Sequence, residues 1–564
     1  MNKRMLATLL AAALMMPTAL ADTGSERMSG MDYESPYQGN PYLPLWEYIP
    51  DGEPYVFEDP DHPGQYRAYI YGSHDMLKTA YCGKDLVVWS APVDDLSHWR
   101  FDGVIFESVV GGVADTLFAP DIALAVDPET GAKTYYLYPN TQAWGRNAMV
   151  CKSDRPDGPF TVINWRDSAM TTTYGTMGFD PAVLVDDDGE AYGYWGFCDA
   201  WWGRLNPGNM AALKPGESAR RNIPSYDQMT AADYQPADYN IVQDENVGKW
   251  GFFEASSIRK VGNKYVFIYS RNGLPSEPTG KNYNQLAYGY SDSPAGPWKW
   301  GGVIVDAQGE VIPNGPRYER TFPGGNTHGS ICEINGQWYV FYHRNLHAYA
   351  RQAMVEPIAV EWDEKPVTEG GEVRISMAEV TSNGFYLDGL NPYAKISAGR
   401  ACYLTGGASI VPAYSQDTLT LPVTGLKNNA VVGIKYLNFD LDAPYAGATS
   451  LEVELIPQGV DAAIDVYLRP VSAANTPVSR TAGVITSVGE GSVNIGTIEL
   501  TADMPREMTA LRIPAPGADE VDGPWGLFLV FRAKGGGDIC ELYNMQFVDG
   551  EEGGAAHDGT AGPV

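Results

Sequence analysis

The chain has 564 residues, 44% of them hydrophobic and 12% aromatic, which is enough for two or three domains with sizeable cores. It carries 70 Asp and Glu against 39 Lys and Arg, a formal net charge of −31 at pH 7. Such a surface repels nucleic acid and anionic lipid and so excludes them as partners, whereas neutral carbohydrate is not repelled.

The first residues predict a secretory signal peptide at 1–21. Lys3 and Arg4 precede an apolar run that ends near Leu20, and a small-x-small cleavage site follows at 19–21. The run is too short to remain as a membrane span, and no later segment approaches the roughly 18 apolar residues that a spanning helix needs. We therefore expect the protein to be secreted or periplasmic.

Residues 40–384 have the pattern of an all-β fold. Short runs of Val, Ile, Tyr, Phe and Trp alternate with clusters of Gly, Pro, Asn and Asp. Examples are KYVFIYS at 264–270 and QWYVFYHR at 337–344, and pairs such as Asn335-Gly336 are typical hairpin turns.

A repeat of about 60 to 75 residues divides this part of the chain into five comparable units. Each unit begins with a polar residue before an apolar strand and has room for four short strands, which predicts a five-bladed β-propeller. The innermost strand of each blade begins near the central channel, so these polar residues should converge. They are Asp51, Asp121, Asp180, Glu254 and His328.

The segment 396–548 lacks the regularly spaced aromatic strands of the first part. Its sequence predicts many short strands, which favours a β-sandwich. Residues 360–395 should complete the propeller and connect the two domains, and the Gly/Ala-rich acidic tail at 551–564 is expected to be flexible. Cys402 and Cys540 fall near the two ends of the second domain, where a disulfide and two buried free thiols are both open.

Three acidic residues are the strongest candidates for chemistry. Asp51 in IPDGEPYVF, Asp180 in GFDPAVLV and Glu254 in GFFEASSI hold matching places before or within apolar strands. Apolar and aromatic neighbours raise a carboxyl pKa. Glycosidic cleavage needs one protonated acid and one carboxylate, and a third group can tune the acid. One such Asp is more often a turn former, but the three together indicate catalysis.

These three segments resemble the signature blocks of glycoside hydrolase family 43, which includes arabinanases, arabinofuranosidases and β-xylosidases. The resemblance runs from about Asn40 to Gly384 and implies a five-bladed propeller with an inverting mechanism. It implies that Asp51 is the general base, Asp180 the pKa modulator and orienting group, and Glu254 the general acid. The chain departs from the family at the residue after Asp51, where it has Gly instead of the frequent Pro.

The same resemblance extends to four further residues. LFAPDIA resembles the family's W-APD block, so Phe118 and Asp121 would line the cleft, with a structural hydrogen-bonding role for Asp121 left open. Arg351 matches an arginine that reaches the sugar or its acidic neighbours, and a surface salt bridge is the alternative. His328 in NTHGS resembles a histidine near the channel, beside one structural calcium ion.

Three residues close to Asp51 in the sequence, Trp46, His74 and Asp75, are predicted to shape the sugar pocket. For Trp46 ordinary packing is the competing interpretation. No organic cofactor is expected.

The second domain resembles carbohydrate-binding module family 6. Trp525 and Tyr543 are its candidate sugar-stacking residues, while a purely structural sandwich stays equally open. The likeness is carried by residues 431–441, 450–470 and 526–547.

The resemblance to glycoside hydrolase family 43, together with the predicted signal peptide, implies a secreted inverting α-L-arabinofuranosidase that removes arabinose from plant cell-wall polysaccharide or oligosaccharide. A β-xylosidase or exo-β-galactosidase is the enzymatic alternative, and a lectin-like sugar-binding propeller is the non-enzymatic one. An inverting enzyme needs roughly 6.5–9.5 Å between its two carboxyl groups, against about 5–5.5 Å for a retaining enzyme.

Overall fold

The structure, a computed structural model, describes residues 38–550 except 275–276, 278–282, 315–316, 414–419, 446–448, 475, 477 and 482–483. The predicted signal peptide and the predicted tail lie outside the described residues. Within the described ranges the chain is nearly all β, as predicted, and the α-helix is the single short α1 (Tyr226–Met229). None of the helices in those ranges is long and apolar enough to cross a membrane. The 3-10 turns are Pro236–Asp238, Val367–Glu369, Ala398–Arg400, Val471–Ala473 and Pro516–Ala518.

Five antiparallel sheets, numbered here 1 to 5, follow one another along the first part of the described chain, each with its strands paired in chain order. Sheet 1 contains β1 (Glu53–Glu58), β2 (Tyr66–Tyr71), β3 (Asp85–Pro92) and β4 (Arg100–Glu107). A ribbon follows, formed by β5 (Val109–Val110) and β6 (Val113–Ala114). Sheet 2 contains β7 (Leu117–Val126), β8 (Lys133–Thr141), β9 (Cys151–Ser153) and β10 (Thr161–Val162).

Sheets 3 and 4 repeat this four-stranded arrangement, and sheet 5 has three strands. Sheet 3 contains β11 (Ala182–Val185), β12 (Ala191–Trp195), β13 (Trp201–Leu205) and β14 (Arg220–Arg221). Sheet 4 contains β15 (Phe252–Val261), β16 (Lys264–Arg271), β17 (Gln285–Ser291) and β18 (Lys299–Asp306). After a ribbon of β19 (Val311–Asn314) and β20 (Arg317–Arg320), sheet 5 contains β21 (Ser330–Ile334), β22 (Gln337–His347) and β23 (Ala350–Ile358). A last ribbon pairs β24 (Val360–Trp362) with β25 (Val373–Ile375).

Neighbouring sheets pack face to face through shared apolar clusters. Sheet 1 shares a buried cluster with sheet 2, sheet 2 with sheet 3, sheet 3 with sheet 4, and sheet 4 with sheet 5. The succession closes, because Ile70 of β2 and Phe341 of β22 belong to one cluster that joins sheets 1 and 5. Strands covered on both faces read as continuous apolar runs, and every residue of β16 is buried accordingly.

The first strands of the five sheets meet around a common centre. β1 contacts β7, β7 contacts β11, β11 contacts β15, β15 contacts β21, and β21 returns to β1. Side chains at the start of these strands are therefore brought together from distant parts of the sequence.

The last part of the described chain forms two larger sheets and one ribbon. Sheet 6 contains β26 (Ile396–Ser397), β28 (Ser409–Ile410), β29 (Val423–Thr424), β31 (Thr449–Pro457), β36 (Thr509–Pro514) and β38 (Cys540–Asp549). Sheet 7 contains β27 (Tyr403–Thr405), β30 (Val431–Asn438), β32 (Ala462–Pro470), β35 (Val493–Leu500) and β37 (Pro524–Ala533). The ribbon contains β33 (Ser479–Thr481) and β34 (Val484–Ser487).

Sheets 6 and 7 share an aliphatic core to which Leu451 of β31 and Leu468 of β32 contribute. The core continues into the first part of the chain through Tyr48. Cys402 and Cys540 are both buried and form no disulfide, so the free-thiol alternative holds here.

Candidate active site

A cavity of about 490 Å³ lies at the centre of the five sheets and brings the three predicted catalytic carboxyls together. Asp51, Asp180 and Glu254 all line it, and each of their side chains is buried. Arg351 and His328 contribute to the same wall. The aromatic part of the wall consists of Tyr81, Phe118, Phe179, Phe197, Phe253 and Tyr283.

Local backbone geometry aims these carboxyls into the cavity. Asp51 and Asp180 each lie two residues before the first strand of their sheet, and both have left-handed φ angles, +61° and +48°. Ala255, directly after Glu254, has a φ of +66°. Such angles are uncommon for residues with a Cβ and cost on the order of 1–3 kcal/mol each, so they persist only where the surroundings impose them.

Glycine after Asp51 has a steric reason. Gly52 forms a parallel bridge with Gly329, which joins the starts of β1 and β21. A Cβ on Gly52 would come 2.8 Å from Ile70 Cδ1, and a Cβ on Gly329 would come 1.9 Å from the carbonyl oxygen of Phe341. Glycine at 329 is therefore required by the neighbouring backbone, and glycine at 52 avoids a contact with the end of the Ile70 side chain.

Asp51 is held as a carboxylate. Arg351 Nη1 donates to both of its oxygens, at 3.0 and 3.2 Å, and the Ser73 hydroxyl donates to Oδ2 at 2.6 Å. Burial by itself raises the pKa of Asp51, but the Arg351 charge and the Ser73 hydrogen bond contribute to an opposite effect that outweighs it. The pKa of Asp51 therefore lies below its ordinary value, and the group is ionised at neutral pH.

Asp180 receives one hydrogen bond on each oxygen. The Asn140 amide donates to Oδ1 at 3.1 Å, and the Ala255 N–H donates to Oδ2 at 3.0 Å. Burial raises the pKa of Asp180; the positive charge of His328 reduces the rise, and the Asp51 carboxylate adds to it. The Ala255 bond couples Asp180 to the backbone of the residue next to Glu254.

Glu254 has the most strongly raised pKa of the three carboxyls. Burial raises it, the charge of Asp180 adds to the rise, and the result is a pKa of about 8. The Asn326 amide donates to Glu254 Oε1 at 3.1 Å and fixes the orientation of the carboxyl. The pocket therefore contains a protonated acid, Glu254, and an ionised carboxylate, Asp51, at the same neutral pH.

His343 positions the base and was not singled out in the sequence. Its Nδ1 accepts the Asp51 N–H at 3.2 Å, so its other nitrogen, Nε2, carries the proton and faces the Asn326 carbonyl oxygen at 3.0 Å. Burial lowers the pKa of His343 to about 3, which keeps the ring neutral. This histidine lies in the continuously buried middle of β22, a position that by itself indicates only burial.

His328 lies between carboxylates. Its Nε2 is 3.5 Å from Glu53 Oε1, and its Nδ1 is 3.8 Å from Asp180 Oδ2. Arg259 Nη2 donates to the other oxygen of Glu53 at 2.5 Å. Among the described residues, no group of three or more His, Cys, Asp or Glu side chains is placed to hold a metal ion. The surroundings of His328 thus fit an ion pair better than a calcium site, which prefers an oxygen cage.

Of the residues predicted to bind substrate, Phe118 and Arg351 line the cavity, and the other four do not. Asp75 is fully buried behind Arg351, whose Nε and Nη2 donate to it at 2.8 and 2.9 Å. Asp75 thus orients the arginine that holds Asp51, and its effect on the pocket is indirect.

His74 and Trp46 contact other side chains of the protein and do not line the pocket. His74 lies 3.2 Å from Glu47 Oε1 and 3.1 Å from Asp85 Oδ1. Burial lowers its pKa, but the two carboxylates outweigh burial and raise it to about 10. Trp46 packs against the apolar core and contacts Trp89 with ring centroids 6.2 Å apart.

Asp121 turns away from the pocket. It accepts the Tyr55 hydroxyl at 2.8 Å and the Val183 N–H at 2.7 Å, which is the structural role left open for it. A register shift in β7 between Phe118 and Asp121 explains the difference, because a bulge re-aims the side chains that follow it.

The comparison with family models decides the family. The model described as Glycosyl hydrolases family 43 matches residues 58–366, more than half of the chain. The chain belongs to glycosyl hydrolases family 43. The matched range includes Asp180, Glu254 and Arg351, and Asp51 lies shortly before it.

Two relatives that are similar in sequence are consistent with this membership. The chain is 34% identical over 436 residues to a xylosidase/arabinosidase of Thermoclostridium stercorarium, covering 71% of this chain and 82% of the relative. It is 23% identical over 531 residues to an arabinoxylan arabinofuranohydrolase of Paenibacillus polymyxa, covering 89% of this chain and 72% of the relative.

Two solved structures of family 43 enzymes are also similar. An arabinoxylan arabinofuranohydrolase from Bacillus subtilis, in complex with cellotetraose, has 20% identity and a TM-score of 0.43, covering 91% of this chain and 98% of its own. A β-xylosidase/α-arabinofuranosidase from a compost microbial metagenome, in a calcium-free form with xylotriose, has 21% identity and a TM-score of 0.41. That match covers 60% of this chain and 97% of the other.

Proposed function

We propose that this family 43 chain is an inverting α-L-arabinofuranosidase that releases arabinose from plant polysaccharide or oligosaccharide. The observation that carries the proposal is the division of pKa values in one pocket: Asp51 is held ionised, and Glu254 is held protonated. The names of the relatives, xylosidase/arabinosidase and arabinoxylan arabinofuranohydrolase, support arabinose as the sugar. The first of these names also favours β-xylosidase activity as the second candidate.

In the proposed reaction Asp51 takes a proton from a water molecule as the water oxygen attacks the anomeric carbon. The bond from that carbon to the leaving oxygen breaks on the opposite face, and Glu254 gives its proton to this oxygen. The products are the free sugar with inverted configuration and an alcohol. Asp51 then holds a proton and Glu254 is ionised, so exchange with solvent resets both groups.

Asp180 is proposed to keep Glu254 protonated and oriented. A negative charge near a carboxyl disfavours ionisation of that carboxyl, and Asp180 is the largest charge contribution to the raised pKa of Glu254. Its hydrogen bond from the Ala255 N–H supports the positioning role.

We infer a five-bladed propeller at 40–384 followed by a β-sandwich at 396–548. The succession of first strands from β1 to β21 supports the propeller, and the shared core of sheets 6 and 7 supports the sandwich. We retain the likeness of the sandwich to carbohydrate-binding module family 6 as a proposal. For its two candidate residues, Trp525 Nε1 donates to the Asp522 carbonyl oxygen and the Tyr543 hydroxyl to Glu541.

A second cavity supports a substrate longer than one sugar. It has a volume of about 600 Å³ and shares Gln142 and Phe179 with the catalytic pocket. Its wall includes Trp144, whose side chain is 94% exposed, beside the polar side chains of Asn147 and Arg166. Exposed aromatic faces with adjacent polar groups suit sugar rings, so we propose that further sugar residues of the substrate lie here.

We also propose that the protein acts outside the cytoplasm as a secreted or periplasmic enzyme, because of the predicted signal peptide at 1–21. The calcium ion that the family resemblance implies would lie near His328, where Glu53, one of the two carboxylates that face this histidine, already pairs with Arg259.

The test is hydrolysis of aryl α-L-arabinofuranoside, β-D-xyloside and β-D-galactoside, beside an arabinoxylan oligosaccharide, with the anomer of the first product identified by NMR. The α-arabinofuranoside should be cleaved with inversion, and Glu254→Gln should reduce the rate on the oligosaccharide by about 10²–10⁴-fold. Glu356→Gln is the matched control, because Glu356 is also buried, with a pKa that burial raises to about 8, but lies outside the pocket.

Each alternative gives a different result. Cleavage of the xyloside alone would name a β-xylosidase, and retention of configuration would reject the roles of Asp51 and Glu254. Binding without turnover on every substrate would favour the lectin-like alternative. Full activity of Glu254→Gln on the oligosaccharide would reject Glu254 as the acid.

A further inference from the structure

An arginine whose side chain is only 11% exposed crosses the centre of the five sheets outside the lining of the catalytic pocket. Arg259 of β15 in sheet 4 donates from Nη2 to Glu53 Oε2 at 2.5 Å and from Nη1 to the Tyr55 hydroxyl at 3.1 Å. Both partners belong to β1 in sheet 1, and sheet 5 lies between these two sheets in the succession. The guanidinium also stacks on the Tyr55 ring, 4.2 Å from its centroid. It therefore occupies the space around which the first strands meet.

The remaining first strands join the same network. The Tyr55 hydroxyl donates to Asp121 of β7, and Asp121 accepts the Val183 N–H of β11. Ser257 of β15 donates to Glu53 Oε2 at 3.0 Å. The Ser257 oxygen also lies 2.7 Å from the Ser330 hydroxyl of β21, which donates to it, so the network reaches all five sheets.

This network leads directly to the catalytic carboxyls. Glu53 Oε2 holds Arg259, and Glu53 Oε1 faces His328 Nε2 at 3.5 Å. His328 Nδ1 in turn faces Asp180 Oδ2 at 3.8 Å, and Asp180 is the charged neighbour of Glu254. Positive and negative groups thus alternate from Arg259 to the acid. In a buried site, a charged group that loses its partner strongly shifts the ionisation of the neighbouring titratable groups.

We propose that the Arg259 guanidinium supplies the positive charge at this centre. Through Glu53 it sets the ionisation of the catalytic carboxyls, and the centre therefore needs no bound metal ion. The guanidinium is always charged and presents several donors in a fixed fork, so it can satisfy a carboxylate and a hydroxyl together, as a metal ion would. Arg259 is a positioning residue, since it does not line the pocket.

The charged and titratable groups that face Arg259 come from three other strands. Glu53 and Tyr55 lie on β1, Asp121 on β7 and Cys332 on β21. Burial raises the pKa of Cys332 to about 12, so this thiol is neutral near pH 7. Glu53 is therefore the neighbour through which a change of charge at Arg259 reaches the acid.

The proposal predicts opposite effects for two substitutions. Arg259→Gln leaves Glu53 unbalanced, and the added negative field should move the pH–rate profile to higher pH. Glu53→Gln leaves Arg259 unbalanced and should move the profile to lower pH. Each shift should be about one pH unit, the lower end of the effect of a charge close to a carboxyl. The double variant should return towards the wild-type profile.

Two further variants separate charge from folding. Arg259→Lys keeps the charge and should keep the wild-type profile even if its unfolding temperature falls. Arg271→Gln removes another buried arginine, which pairs with Glu277 away from the pocket, and should lower stability without moving the profile. Equal profiles for Arg259→Gln, Glu53→Gln and wild type would overturn the proposal.

A second measurement needs no substrate and is therefore independent of the proposed sugar. The unfolding temperature of wild type is followed against pH after dialysis with EDTA, with and without added CaCl₂, and the same is done for the two charge variants. Wild type should be unchanged by EDTA or calcium, and the variants should show the same opposite pH shifts. A loss of stability with EDTA that calcium restores would show a required metal ion and overturn the proposal.

Discussion

The two parts of the molecule bury charge in different ways. Sheets 1 to 5 bury Asp180 and Glu254 with raised pKa values and hold strained backbone beside them. Sheets 6 and 7 enclose a core of Leu, Ile, Val and Ala side chains. An unpaired buried carboxyl destabilises a fold. Burial of these carboxyls therefore lowers the stability of the first part, whereas the apolar core of the second part carries no such penalty. The difference favours the first part as the one that performs the proposed chemistry.

The buried cations of the second part serve its contact with the first. Lys435 and Arg469 both pair with Glu310, which follows β18 of sheet 4. Arg400 donates to the carbonyl oxygens of Gly39 and Pro41. These charges have partners across the junction, whereas Glu254 faces another carboxyl. Buried charge is therefore structural where it is paired and functional where like charges are forced together.

The largest effect should come from Asp51→Asn. It removes the proposed base and should lower kcat on the oligosaccharide by about 10²–10⁴-fold. Arg351 then loses one of its carboxylate partners, so the unfolding temperature must be measured beside the rate. Asp85→Asn is the control, because it removes a carboxylate from His74 in the same sheet but outside the pocket. If both variants lost the same activity, the assignment of Asp51 would fail.

A large-to-small change in the second part should act on stability alone. Leu468→Ala removes a fully buried side chain from the shared core of sheets 6 and 7 and should cost about 2–5 kcal/mol of unfolding free energy. Well below the unfolding temperature, kcat and KM should keep their wild-type values. Denaturant unfolding and initial rates measure the two quantities, and a changed KM would mean that the second part contributes to substrate binding.

The all-β fold and the family could be predicted from the sequence, and both predictions are confirmed. Alternating strands and hairpin turns such as Asn335-Gly336 are local signals, and the segment that contains Asp180 lies inside the range that matches the family model. The blade count, the sandwich and the catalytic roles stay predictions.

The network around Arg259 could not be predicted, because its partners lie on a strand about 200 residues away in sequence. The bulge after Phe118, which turns Asp121 towards Tyr55, also leaves no sequence signal. Residues such as Trp46 and His74 were placed by nearness in sequence to Asp51, yet the twist and packing of the sheet decide which side chains reach the pocket. Tertiary contacts between distant strands therefore limit site prediction more than strand prediction.

The smallest expected effect is on the unfolding temperature, and it is tested with one carboxyl group from each part of the molecule. Glu254 has a folded-state pKa of about 8 against an ordinary value of 4.5, so the folded protein loses stability as pH rises between these values. Glu254→Gln has no ionisation and should unfold at a higher temperature than wild type, by at least about 2–4 °C at pH 9, with no difference at pH 4.

Glu454 of β31 should behave in the opposite way. Burial raises its pKa, but Lys395 and Asn544 outweigh burial and hold the pKa below its ordinary value. The stability from this ionised group is present above its ordinary pKa and is lost as pH falls. Glu454→Gln should therefore lower the unfolding temperature slightly at pH 7, as expected for a partly exposed ion pair, and match wild type in acid. If the two variants changed stability with the same sign at pH 8, the contrast between a functional and a structural carboxyl would fail.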